Sequence, residues 1–166
     1  MPSRRRFLTT ALATGLLVLS RGSVAHGTAG HDGKKSGAVV KEQQDWGIAG
    51  EAKDVSRTIV VAMSDAMRFS PERIEARLGE TIRFTIRNKG KVLHEMVIGT
   101  PVALAEHAEL MLKFPDMEHE APWMAHVAPG GRGEIIWTFN RAGEFQFACL
   151  IPGHYQAGMV GKLVVK

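Results

Sequence analysis

The chain has 166 residues, 21 Lys and Arg against 17 Asp and Glu, and a single cysteine. That length suits one ordinary domain with a sizeable core. One cysteine excludes an intramolecular disulfide framework, and the meaning of the formal charge of +4 depends on where the basic residues lie.

They lie at the start. "MPSRRRFLTTALATGLLVLSRGSVAHG" places Arg4, Arg5 and Arg6 before an apolar run from Ala11 to Leu19, with small residues at Ser23, Val24 and Ala25. The run is too short to span a bilayer as a helix. It reads as a signal peptide over residues 1–25, and "SRRRFL" fits the twin-arginine route to the periplasm. Cleavage after Ala25 removes four arginines and leaves 17 basic against 17 acidic residues. The mature chain is therefore near neutral, with no nucleic-acid footprint and no membrane attachment, and a monomer is expected.

Residues 26–55, polar and without a sustained period, are expected to form a flexible tail carrying His26 and His31. From Ser56 onward the pattern is strand-like. Residues 57–63 are rich in β-branched side chains, and residues 72–78 alternate. Residues 78–90 set Ile82, Phe84 and Ile86 against Arg83, Thr85 and Arg87. Gly79 and Glu80 join two of these runs as a hairpin or an arch, and residues 92–99 make a further strand. A helix follows over about 101–113, with Thr100 as its cap and Pro101 in its first turn. After a loop, residues 133–140, 143–151 and 158–166 alternate again. About seven strands with turn signals predict an all-β, Greek-key β-sandwich with one inserted helix, occupying residues 56–166.

The last hairpin carries the chemistry. "FACLIPGHYQAGMVGKLVVK" holds Cys149, His154 five residues on, and Met159 five after that. Each has an ordinary reading: core cysteine, turn histidine, core methionine. Together, on one loop between neighbouring strands, they supply three of the four ligands of a blue-copper site: a thiolate, an imidazole and an axial thioether. The second imidazole should come from elsewhere in the sandwich, and His94 in "KVLHEMVIG" is the best candidate. Structural zinc would not choose methionine, and iron–sulfur clusters need more thiolates.

Residues "HEMVIG" (94–99), "APGGRGEIIWTF" (128–139) and "GEFQFACLIPGHYQAGMVGKLVV" (143–165) resemble the cupredoxins, the plastocyanin and azurin family. The resemblance implies a Greek-key sandwich and one mononuclear type 1 copper, Cu(I) or Cu(II), on His94, Cys149, His154 and Met159. Within the family, the histidine-bearing tail and "FPDMEHEAPWMAHVAPG" (114–130) resemble periplasmic copper-tolerance cupredoxins of the CopI kind. Four protein ligands leave little room for substrate, so the expected role is copper holding or electron transfer rather than catalysis. The leading expectation is copper tolerance, and the alternative is a soluble electron carrier between respiratory or photosynthetic complexes. Redox partner proteins would meet the edge of His154, beside Ile151, Pro152 and Tyr155.

A second set of soft ligands stands apart. Met111, Met117, His119, Met124 and His126 fall close together, with Asp116, Glu118 and Glu120 among them. Thioethers and imidazoles suit Cu(I), so Met117, His119, Met124 and His126 are candidate second copper contacts. The competing reading places Met111 in the helix's core stripe and Met124 beside Trp123. His26, as the mature N-terminus, could chelate Cu(II) or simply end a loose tail.

Overall fold

The computed structural model describes residues 41–115, 117 and 119–166. The expected signal peptide, the tail to residue 40 with His26 and His31, and the acidic Asp116 and Glu118 lie outside the described residues. Among the described residues no helix is long and apolar enough to cross a membrane.

Among the described residues, ten strands and one α-helix follow in order: β1 (Ile48–Ala49), β2 (Arg57–Ser64), β3 (Arg68–Ser70), β4 (Arg73–Ala76), β5 (Thr81–Asn88), β6 (His94–Gly99), α1 (Pro101–Lys113), β7 (Met124–Val127), β8 (Arg132–Thr138), β9 (Gly143–Ala148) and β10 (Val160–Val165). They form two five-stranded sheets, ordered β1-β8-β5-β2-β3 and β4-β10-β9-β6-β7. The alternation in β5 turns Ile82, Phe84 and Ile86 into the space between the sheets, where each is fully buried. Met96, Ile98, Phe147 and Leu163 meet them from the second sheet. The Gly79–Glu80 connection is an arch, since β4 belongs to one sheet and β5 to the other. Two parallel pairings, β2 with β5 and β4 with β10, interleave the strands in the Greek-key manner expected of the sandwich.

Helix α1 starts where its sequence says. The Thr100 hydroxyl accepts from the Ala103 amide at 3.1 Å, and Pro101 occupies the first turn. Its stripe of Leu104, Ala108 and Met111 is buried against the outer face of the second sheet, over Val97, Met124, Ala148 and Leu150. That cover changes β6. With the core on one side and α1 on the other, all six residues of "HEMVIG" are buried, including His94 and Glu95.

Residues 41–55 depart from the expected flexible tail. Trp46 is buried, and its carbonyl accepts from Trp137 Nε1 at 2.9 Å. Ile48 and Ala49 then pair with Thr138 and Trp137 as an edge strand. A side chain at Gly47 would put its Cβ 2.4 Å from the Thr138 carbonyl oxygen, so only glycine lets the segment lie this close. One aromatic anchor and two strand residues are too short a pattern to stand out in a polar stretch.

Candidate metal centre

Two parts of the second sheet build the centre. Asn88 shapes the turn that leads into β6. Its Nδ2 donates to the carbonyls of Val92 and Val127 at 2.8 and 2.9 Å, and its Oδ1 accepts from the Gly90 amide. His94 then enters as the first residue of β6, fully buried. Cys149 follows β9, and the chain reverses through "IPGHYQAG" before β10. The reversal needs residues at positive φ, and glycines supply them just before His154 (Gly153, +89°) and just before Met159 (Gly158, +83°). Backbone bonds lock the loop: the Cys149 amide donates to Met159 O and the Met159 amide to His154 O, each at 3.1 Å.

The result brings His94, Cys149 and His154 together, with one ligand atom from each within 4.8 Å of the others. His154 Nδ1 lies 3.2 Å and His94 Nδ1 4.0 Å from Cys149 Sγ. Met159 is fully buried in the same core cluster as Cys149. Burial pushes the Cys149 thiol up to about 12, so a cation must replace the proton before the sulfur can act as thiolate. Burial, then the nearby His94 ring, holds His154 below the usual imidazole range. It is neutral at pH 7 and offers a lone pair. A soft sulfur and two imidazole nitrogens, with no carboxylate among them, fit copper.

Two supporting groups escape a reading of the sequence. The first is Asp65, in the turn after β2. Its Oδ1 accepts from His94 Nε2 at 3.1 Å and its Oδ2 from the Lys91 amide at 2.8 Å. A carboxylate can only accept here, so it fixes the proton on Nε2 and leaves Nδ1 facing the sulfur. The Lys91 amide first, then the His94 contact, holds Asp65 below the ordinary carboxylate range. Replacing Asp65 with alanine should weaken copper binding by roughly 10- to 100-fold. Competition with a Cu(II) chelator would measure it. Gly90→Ala should act the same way from a distance, because its new Cβ would lie 1.9 Å from Asp65 Oδ1.

The second is Glu95, buried with only 1% of its surface exposed. Its amide donates to Cys149 Sγ at 3.4 Å, and its Oε1 accepts from the Leu150 amide at 2.8 Å.

The remaining candidates lie on the other side of β6, towards α1. His126 opposes Glu95 across β6 and β7, and Met124 opposes Val97 two residues along on the same strand. Met124 packs with Leu104 and Met111 in the layer under α1. The His119 ring lies 6.1 Å from that of His126 and 4.6 Å from that of His107, a helix residue the sequence did not single out. Burial, then His119, keeps His107 below the usual imidazole range. A cleft of about 770 Å³ opens here, lined in part by Met111, Met117, His119, Glu120 and His126. Leu93 and Ile151 also line it, each within three residues of a side chain of the inner cluster.

Known proteins agree with this geometry. A family model described as copper binding proteins, plastocyanin/azurin family, matches residues 56–166. The chain is 48% identical over 147 residues to the copper-resistant cuproprotein CopI of Rubrivivax gelatinosus, covering 87% of this chain and 89% of that protein. It is 38% identical to the protein of the same name from Pseudomonas aeruginosa, over 74% of this chain and 83% of that one. Among solved structures, an auracyanin B superposes with a TM-score of 0.61 at 21% identity, over 72% of this chain and 94% of that chain. The dithionite-reduced auracyanin of Roseiflexus castenholzii gives 0.58 at 25% identity, over 68% and 98%. With a sandwich of this topology, a buried thiol between two imidazoles and relatives this similar along most of its length, the chain belongs to the plastocyanin/azurin family of copper-binding proteins.

Proposed function

We propose that this is an exported copper-tolerance protein of the periplasm, holding one redox-active type 1 copper on His94, Cys149, His154 and Met159. The observation that carries the proposal is the pair of imidazole Nδ1 atoms directed at a fully buried thiol. The copper-resistant naming of the two similar cuproproteins supports the tolerance role. Copper in such a site supplies a single-electron Cu(I)/Cu(II) couple.

The chain's own residues do the rest. Sheet packing and backbone bonds hold Cys149, His154 and Met159 in one place, so little rearrangement accompanies a change of charge. Four side chains around the ion leave no place for substrate, which supports holding or electron transfer rather than catalysis. His154 is partly exposed beside Ile151, Pro152 and Tyr155, and serves as the edge through which a redox partner exchanges electrons. The cleft under α1 gathers Met117, His119 and His126, with Met124 in the layer behind, as a second, softer set of copper contacts.

A strain lacking the gene tests the role. Sensitivity to added copper with normal respiration is expected. A respiratory defect at low copper, without copper sensitivity, would overturn the tolerance reading in favour of an electron carrier.

A further inference from the structure

Glu95 sits between the two clusters and touches both. Towards the inner one, its backbone N–H donates to the Cys149 sulfur at 3.4 Å, and its Oε1 receives the N–H of Leu150, the next residue, at 2.8 Å. Towards the outer one, its Oε2 lies 2.8 Å from His126 Nε2. That contact is close but not aligned as a hydrogen bond, so Oε2 is a buried carboxylate oxygen without an aligned donor. His119 Nε2, in the same cluster, is also buried without a hydrogen-bond partner. Buried polar atoms are rarely left this way. A buried carboxylate oxygen and an unpartnered imidazole nitrogen in one cluster describe a place prepared for a cation.

We infer that Glu95 is a positioning residue that couples the outer Met/His cleft to the copper centre, so that a cation held in the cleft alters the surroundings of the Cys149 sulfur. The inference rests on the reading of that cleft as a copper site. Its physical basis is confinement. A carboxylate with 1% exposure cannot swing into water when its outer partner is drawn away. Packed interiors pass such displacements on rather than absorb them. Among the described residues, the inner end of this side chain and its amide are gripped by the Leu150 N–H and the Cys149 sulfur. A change at His126 therefore arrives at the sulfur's N–H donor, and hydrogen bonds at such a donor tune the metal. By linkage, copper in the inner site must alter the cleft's affinity by the same factor.

The test uses the full mature chain loaded with Cu(II) and titrated with Ag+ in chloride-free buffer. Ag+ is soft, like Cu(I), and does not reduce Cu(II). Calorimetry follows Ag+ binding, and the thiolate-to-copper absorption band follows the inner site. The expected result is a saturable shift of the band as one equivalent of Ag+ binds. His119→Ala should weaken that binding at least tenfold. Glu95→Gln keeps an acceptor for Leu150 but removes the charge facing His126, and should retain Ag+ binding while losing the shift. Should Glu95→Gln not fold, Glu95→Asp draws the carboxylate back from His126 and should reduce the shift. Ag+ binding that depends on His119 but leaves the band unmoved overturns the coupling and spares the cleft as a copper site. An absence of His119-dependent Ag+ binding overturns both.

Discussion

Replacing Cys149 with alanine should abolish the intense visible band of the copper-loaded protein and remove the stabilisation that copper confers. The two effects separate cleanly because of where the thiol lies. With no cation bound, burial pushes its pKa to about 12, so at neutral pH it is an uncharged, small, apolar group in the core. Removing it then creates only a small cavity, and the copper-free variant should melt close to the copper-free parent. With copper present at about 1,000 times its dissociation constant, the parent gains about 4 kcal/mol. For a domain of this size that raises the melting temperature by something on the order of 10 °C. The variant should show neither the rise nor the band. Melting curves and spectra with and without copper check both together. A variant that kept an intense band would mean that another group supplies the charge transfer, and the assignment of Cys149 would fail.

That expectation was legible in the sequence because the candidate ligands on the last hairpin are local to one another. Cys149, His154 and Met159 are close along the chain, and alternation on either side fixes them to one reversal between β9 and β10. The strands of the core were legible for a similar reason: Ile82, Phe84 and Ile86 show period two over enough residues to register. Asp65 was not legible. It reaches His94 across 29 residues from an exposed turn, and an aspartate in a turn ordinarily signals only the turn. Glu95 was hidden by a different cause. Strand β6 is covered on both faces, so its carboxylate points into the layer under α1, where alternation would have read it as solvent-facing. His107 was lost in a helical stripe of apolar residues, and Trp46 in a stretch whose polar composition suggested no packing at all. Short strands such as β3 and β7 carry too few residues for a period, and sheet pairing alone defines them. The family match likewise begins at Ser56, although β1 and Trp46 already pack on β8 and Trp137.

Gly161→Ala should be among the most damaging single substitutions in the chain, although it adds one methyl group at a position outside the candidate metal centre. Gly161 sits in β10 directly opposite Phe147 in β9. The far end of the Phe147 ring lies against the glycine, so an added Cβ would fall 2.1 Å from its Cζ and 2.2 Å from its Cε2. The ring has nowhere to go: Phe69 meets it edge-on at 5.0 Å between centroids, and it is fully buried. Overpacking of this kind costs about 1–3 kcal/mol when neighbours can yield, and more when they cannot. Phe147 is also two residues before Cys149 and shares its core cluster, so a displaced ring carries strain towards the sulfur and its loop. Urea unfolding should show a lower midpoint with an unchanged slope, and the copper band of the folded fraction should move. Trimming the obstacle should reverse both effects: Phe147→Leu in the Gly161→Ala background should recover stability that Phe147→Leu alone would lose, and a double-mutant cycle would show a coupling of about 1 kcal/mol or more. Simple additivity between the two substitutions would mean that the ring does not rest on the glycine, and that the strand leading to Cys149 is positioned by other contacts.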